Sequence, residues 1–344
     1  VQAGKVNVLI GNSFGSEGKG NVAAYLAKRD RPGICISNNG PNAGHQYIND
    51  AGEVKTMKML PVSGVVEKES IVILGPGSVI DLDRLFVEIE DNPGIADRLA
   101  ISPTAPIVDL NCKEYEKEHL QYISSTFQGT GAAIGLKAMR SDKITLAKDV
   151  PSLARWISNR LPEQIIHYAS LGWTILAEVS QGIGLSVDGD FYPYCTSRPI
   201  NVGQMFAYCD VPVTLLGDVI GVSRSYQIRV GSVPAGYSGD VYPDSHEVTW
   251  QEISEKLGRP VQELTTVTKR IRRVFTFSKQ GFEMGVRRNG IDICFLTFTD
   301  YLNDQEKVEM MTYLDGFGFK EVYFVNGFGD FDKNIRKVSG SQWQ

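Results

Sequence analysis

Lys5-Val6-Asn7-Val8-Leu9-Ile10, running into Gly11-Asn12-Ser13-Phe14-Gly15-Ser16-Glu17-Gly18-Lys19-Gly20-Asn21, decides the fold. The first six residues read as a short apolar strand. Val22, Ala23, Ala24, Leu26 and Ala27 read as the buried face of a helix that follows. Between the two, glycines let the backbone turn its N–H groups inward, and the helix start adds a positive dipole, so the loop suits a polyphosphate. Lys19 can meet phosphate charge directly. The loop departs from the Walker A pattern: no glycine stands at position 13, and Asn21 rather than Ser or Thr follows Lys19-Gly20. Alone, it also reads as a glycine turn that carries a surface lysine.

Outward from this unit, short apolar strands alternate with amphipathic helices. Ile34 to Ser37, Ser70 to Leu74, Thr174 to Val179, Val219 to Val222, Asp292 to Thr297 and Glu321 to Val325 read as strands. A helix opens at Asp81 and carries Leu85, Phe86 and Ile89, and further helices are expected at 151–160, 246–257 and 304–314. The alternation predicts an α/β fold: a mostly parallel central sheet flanked by helices, P-loop-like in its nucleotide-binding unit. In such sheets the ligand lies outside the carboxyl ends of the strands, where most of the polar, glycine-rich segments fall. With no repeat, low-complexity tract or clear linker, residues 1–344 read as a single domain with excursions from the central sheet.

At 344 residues, 42% hydrophobic and 22% charged, the chain is long enough to bury a core without disulfides or a structural metal. A net charge of −5 argues against a broad basic footprint for nucleic acid or an anionic membrane, yet leaves room for a small anion in one cleft. The five cysteines (Cys35, Cys112, Cys195, Cys209, Cys294) form no paired spacing, which fits reduced thiols and a cytoplasmic location. No apolar run approaches the ~20 residues that span a bilayer, and Val1 to Lys5 does not read as a signal peptide.

A second polar loop, Asn38-Asn39-Gly40-Pro41-Asn42-Ala43-Gly44-His45, also follows a strand. Its amides and carbonyls can serve a ligand or cation, although a lone histidine is usually structural. Together the two loops resemble the adenylosuccinate synthetase family, whose signature is a GDEGKGK loop and then NAGH. The likeness continues in order: Ser124 to Gly131 (SSTFQGTG) for a phosphate loop, Met139-Arg140, Glu178 to Gly182 (EVSQG), Tyr192 to Ser197 (YPYCTS), Arg229-Val230-Gly231, and Thr266 to Arg273 (TVTKRIRR).

The resemblance implies a ligase that moves the γ-phosphoryl of a nucleoside triphosphate to O6 of a purine nucleotide. The amine of L-aspartate then displaces phosphate at C6. It implies phosphate contacts from Gly15, Glu17, Gly18, Lys19, Gly20 and Asn21, with Asp300 and Gly329 at the triphosphate's base. Mg2+ is the implied cofactor, with Gly44 and the residue at position 16 as ligands, and His45 is the implied general acid. Ser16, Asn42, Ser125, Thr126, Gln128, Gln181, Thr196 and Arg270 match purine-nucleotide positions. Arg140 would reach the nucleotide of a neighbouring subunit, which implies a homodimer. Thr266, Val267, Thr268 and Arg272 match the aspartate segment; an Arg fork can hold a carboxylate bidentately, while Lys269 and Ile271 break the family pattern.

Two departures bear on the substrates. Ser16 stands where the family has an aspartate that removes the purine N1 proton and approaches the metal. The exchange resembles a phage branch of the family that acts on dGMP on the route to 2-aminoadenine DNA; a shorter hydroxyl leaves room for guanine's 2-amino group. Phe298 replaces a lysine in the segment that grips the donor's base, and Asn326-Gly327-Phe328-Gly329 replaces a TGP-like loop, which points to ATP rather than GTP. The expected substrates are therefore dGMP, L-aspartate and ATP. The alternatives are an ordinary adenylosuccinate synthetase acting on IMP, or a catalytically silent nucleotide-binding relative.

Overall fold

The computed structural model describes residues 1–234, 236–265, 269–327 and 334–338. In chain order its strands are β1 (Val6–Gly11), β2 (Ile34–Ser37), β3 (His45–Ile48), β4 (Val54–Met57), β5 (Ile71–Leu74), β6 (Leu99–Ile101) and β7 (Ile175–Gly182). There follow β8 (Leu216–Arg224), β9 (Gln227–Arg229), β10 (Glu247–Val248), β11 (Arg273–Phe275), β12 (Ile293–Thr297), β13 (Glu321–Val325) and β14 (Ile335–Lys337).

Among the described residues, nine strands form one sheet in the order β14-β13-β12-β8-β1-β7-β2-β5-β6. All neighbours in it are parallel except β13 and β14. All six residues of β1 are buried, as expected of a central strand covered on both faces. One face packs Leu9, Leu176, Ile220 and Phe295 against the helix Lys19–Asp30, through Val22, Ala23 and Leu26. The other packs Val8, Ile36 and Ala177 against the helices Leu161–Ser170 and Val202–Cys209.

Two excursions serve the site. The antiparallel pair β3–β4 lies against the helix Lys19–Asp30, and a small sheet, β10-β11-β9, stands beyond the carboxyl end of β8. The sequence did not announce these short antiparallel pieces.

Two helix expectations need correction. Residues 151–160 hold only a 3-10 turn, Pro151–Trp156; the α-helix is Leu161–Ser170, with Pro162 in its first turn, where a missing N–H costs nothing. Within 246–257, Glu247–Val248 is a strand, and the helix begins at Trp250 behind a Thr249–Glu252 capping box.

Candidate active site

Because β1, β2, β7, β8 and β12 run parallel, their carboxyl ends share one edge. There the connecting segments enclose a cavity of about 650 Å³. Its wall carries Gly15, Ser16, Gly18, Lys19 and Gly20 from the first loop, and Asn42, Gly44 and His45 from the second. Ser125, Thr126, Gln181, Thr196 and Arg272 also line it, all expected from the sequence.

The first loop is internally neutralised. Gly15 and Gly18 take φ of 93° and 81°, the left-handed region that glycine enters without strain. Glu17 is buried, and one of its oxygens accepts from the amides of Ser13 (3.1 Å) and Gly15 (2.7 Å). The other accepts from Lys19 Nζ at 2.8 Å, and Lys19 also donates to the Gly15 carbonyl at 3.1 Å. Glu17, expected among the phosphate contacts, instead points inward as the loop's own anion and holds Lys19 at the wall. Asn21 likewise turns away from the cavity: its Oδ1 accepts from Ile48 N at 3.2 Å and ties the helix to β3.

β3 brings His45 to the wall, buried and with no hydrogen-bond partner on Nε2. Burial, with Lys19 nearby, pushes its imidazole down to about 3, so the ring is neutral at pH 7. Across the cavity, Asn42 Oδ1 accepts from Thr130 Oγ1 at 3.2 Å, which joins the second loop to the helix Thr130–Ala138. Gln128 sits off the wall, donating to Thr126 O (2.9 Å) and accepting from Arg84 (3.5 Å). Arg270 is also off the wall, its Nη1 donating to Ser124 O at 3.4 Å. Arg140 is exposed beyond the far end of the helix Thr130–Ala138, away from this chain's own cavity. Asp300 is also off the wall and accepts from Arg259 (2.8 Å) and Gly327 N (2.5 Å). Thr266, Val267, Thr268 and Gly329 lie outside the described residues.

Ser16 is bracketed by two arginines. Arg272 Nη1 donates to its hydroxyl at 2.5 Å, and Arg224 Nη1 donates to its carbonyl at 3.0 Å. Arg224, the last residue of β8, is 2% exposed, hydrogen-bonds and pairs with Glu263, and lies 3.5 Å from the centre of the Phe298 ring. Phe298 is thus packed against a guanidinium and is itself part of the wall.

Sequence reasoning missed Arg224 and Glu263, and it marked Arg229 only as part of a matching segment, with no role in the site. Arg229 donates to the carbonyls of Tyr194, Ser238 and Asp240 at 2.5, 2.8 and 2.8 Å. Its guanidinium lies 4.6 Å from the Phe14 ring centre and 5.4 Å from that of Phe191, so the first loop is packed against the Tyr192–Ser197 wall. An arginine at or just past a central strand's carboxyl end was the available signal. The acid of the EVSQG segment, Glu178, proves structural: it accepts from Val62 N, Ser63 N and Ser63 Oγ at 3.3, 2.7 and 2.6 Å.

Among the described residues no group of three or more His, Cys, Asp or Glu is placed to hold a metal ion. Mg2+ keeps waters and substrate phosphates and needs few protein ligands. Gly44, expected to offer its carbonyl as a ligand, lines the wall. The Ser16 hydroxyl, expected as a second ligand, accepts instead from a guanidinium, whose charge opposes a cation there.

A glycine-rich loop with an inward-held lysine at the centre of a parallel sheet, meeting a buried histidine and two arginines at one cavity, is the arrangement of a nucleotide-dependent group-transfer enzyme. The chain belongs to the adenylosuccinate synthetase family of carbon–nitrogen ligases; the family's sequence profile matches residues 8–164 and 145–324. It is 38% identical over 308 residues to the N6-succino-2-amino-2′-deoxyadenylate synthase of Vibrio phage phiVC8, which covers 87% of each chain. Its structure resembles that of the cyanophage S-2L succinoaminodeoxyadenylate synthetase bound to dGMP and to dATP as an energy donor. The TM-score is 0.84 at 32% identity, over 96% of this chain and 95% of that one. An adenylosuccinate synthetase of Methanococcus maripaludis is 33% identical over 304 residues, covering 87% of this chain and 85% of its own.

Proposed function

We propose that the chain joins L-aspartate to C6 of dGMP, with an adenine nucleoside triphosphate as phosphoryl donor, to give N6-succino-2-amino-2′-deoxyadenylate. The observation that carries this reading is Ser16, a hydroxyl where the family's IMP enzymes place a carboxylate. Supporting it are the phage relatives' names and the dGMP and dATP in the cyanophage structure.

The loop amides and Lys19 hold the triphosphate, and Gly44 offers its carbonyl to Mg2+. When bound, that ion neutralises charge on the transferring phosphoryl group. His45 faces the leaving oxygen as a donor. A polyanion in the cavity counters the effect of Lys19 and moves the imidazole back toward protonation, the direction a general acid needs. Asn42, Ser125, Thr126, Gln181 and Thr196 hold the purine nucleotide, Ser16 reads its 2-amino group, and Arg272 holds the aspartate carboxylate. Arg140 of a neighbouring subunit completes the site.

The test is phosphate release with ATP, Mg2+ and aspartate, comparing dGMP, GMP and IMP. Turnover that requires aspartate and prefers dGMP is expected. Turnover with IMP alone would return the chain to adenine synthesis, and none with any of the three would leave a silent relative.

A further inference from the structure

Two guanidinium groups converge on Ser16, and both also face one carboxylate. Arg224 donates through Nη1 and Nη2 to Glu263, and Arg272 Nε stands 3.9 Å from Glu263 Oε2. Glu263 further accepts from Tyr301 Oη at 3.0 Å. The five residues come from separate parts of the chain: Ser16 from the loop after β1, Arg224 from the end of β8, and Tyr301 from beyond β12. Glu263 precedes the segment expected to hold the aspartate, and Arg272 belongs to it.

Each member has a reason to depend on Glu263. Arg224 is almost fully enclosed, and a buried cation is costly without a nearby anion. Burial lowers Arg272 to about 10, which leaves it charged at neutral pH and beside a second cation. Without Glu263 the two guanidiniums would repel across Ser16. With it, one fixes the Ser16 carbonyl and the other fixes the hydroxyl. Because Ser16 Oγ accepts from Arg272, its own proton must point elsewhere, and one lone pair remains for a purine donor.

We infer that Glu263 is a positioning residue for Ser16. Acting through Arg224 and Arg272, it sets both the place and the hydrogen-bonding sense of the hydroxyl at the purine edge. It also restrains Arg272, which would otherwise offer its full charge to the aspartate carboxylate. This inference rests on the proposed reading of Ser16 as a purine-contacting residue.

The experiment is a double-mutant cycle on the full chain, with Glu263→Gln, Ser16→Ala and both together, assayed by phosphate release on whichever purine monophosphate the wild-type chain uses. Glu263→Gln is expected to lower kcat at least tenfold while KM for aspartate stays level or falls. In the Ser16→Ala background the same change is expected to cost less than threefold, because there is no hydroxyl left to orient. Equal losses in both backgrounds, or a rise in aspartate KM parallel to the loss of kcat, would overturn the inference and leave Glu263 a structural ion-pair partner. Arg224→Lys supplies a second cycle if Glu263→Gln fails to fold: it keeps the charge beside Glu263 but loses the fork that reaches Ser16, and it must show the same dependence on Ser16. A wild-type chain that turns over no purine nucleotide fails the proposed function itself, which the cycle separates from failure of the positioning role.

Discussion

Lys19 and Glu17 are 3% and 1% exposed, so each is the condition for burying the other. Lys19→Met leaves the Glu17 carboxylate with its two amides and no cation. Loss of one partner of a buried pair costs about 3–5 kcal/mol, and a drop of that size is expected in urea unfolding. Adding Glu17→Gln should recover much of the stability and none of the aspartate-dependent phosphate release, since the cation for the triphosphate is still missing; recovery of activity would mean that Lys19 acts only on Glu17. Ser16→Asp places a carboxylate beside Arg272 and against the expected position of the 2-amino group. It should reduce dGMP turnover about tenfold or more, roughly 1.4 kcal/mol in the barrier, and reduce IMP turnover less; equal losses would refute Ser16 as the purine reader. The residue types at this scale were legible because loops rich in glycine and asparagine declare their chemistry locally. Their partners were not. Arg224 and Glu263 stand 39 positions apart in the chain, and Glu17 looks like a ligand residue until the loop closes on it.

Among the elements, the expected strands and the helix opening at Asp81 emerged with small errors at their ends, whereas the capped helices Leu110–His119, Val202–Cys209 and Lys279–Asn289 were not expected. β13 runs over the expected Glu321 to Val325, and Asp81 caps its helix by accepting from Arg84 N. Elements made of two or three residues were missed, since β9, β10 and β11 exist only through pairing across distant segments. The helix Trp250–Leu257 shows how local chemistry overrides periodicity. It was expected from 246, but Thr249 takes an extended φ of −95° and ψ of 153°, and accepts from Glu252 N, so the helix can begin only behind it. Thr249→Ala should cost about 1 kcal/mol of stability and leave kcat unchanged, because the cap is exposed and does not line the cavity. Chemical denaturation and the phosphate-release assay check the two halves of this expectation; a fall in kcat without a fall in stability would mean that the small sheet moves in catalysis.

At the scale of the whole molecule, the parallel order around β1 gathers five strand ends at one cavity, so most of the site belongs to a single chain. Arg140 does not fit that rule. It stands exposed past the helix Thr130–Ala138, and no strand end turns it inward. If it serves a nucleotide, that nucleotide lies in another copy, and a symmetric dimer would give each cavity one arginine from its neighbour. The consequence can be measured by mixing. Arg140→Ala and His45→Asn variants should each be nearly inactive alone. After unfolding and refolding together at equal amounts, half of the dimers are hybrids, and each hybrid holds one cavity with an intact His45 and an intact Arg140 from its partner. Recovery should therefore approach about a quarter of the wild-type rate, with dGMP, aspartate and ATP saturating. Activity no greater than the sum of the separate variants would place Arg140 outside the reaction, as an exposed surface charge, and would leave the cavity to be completed by its own chain.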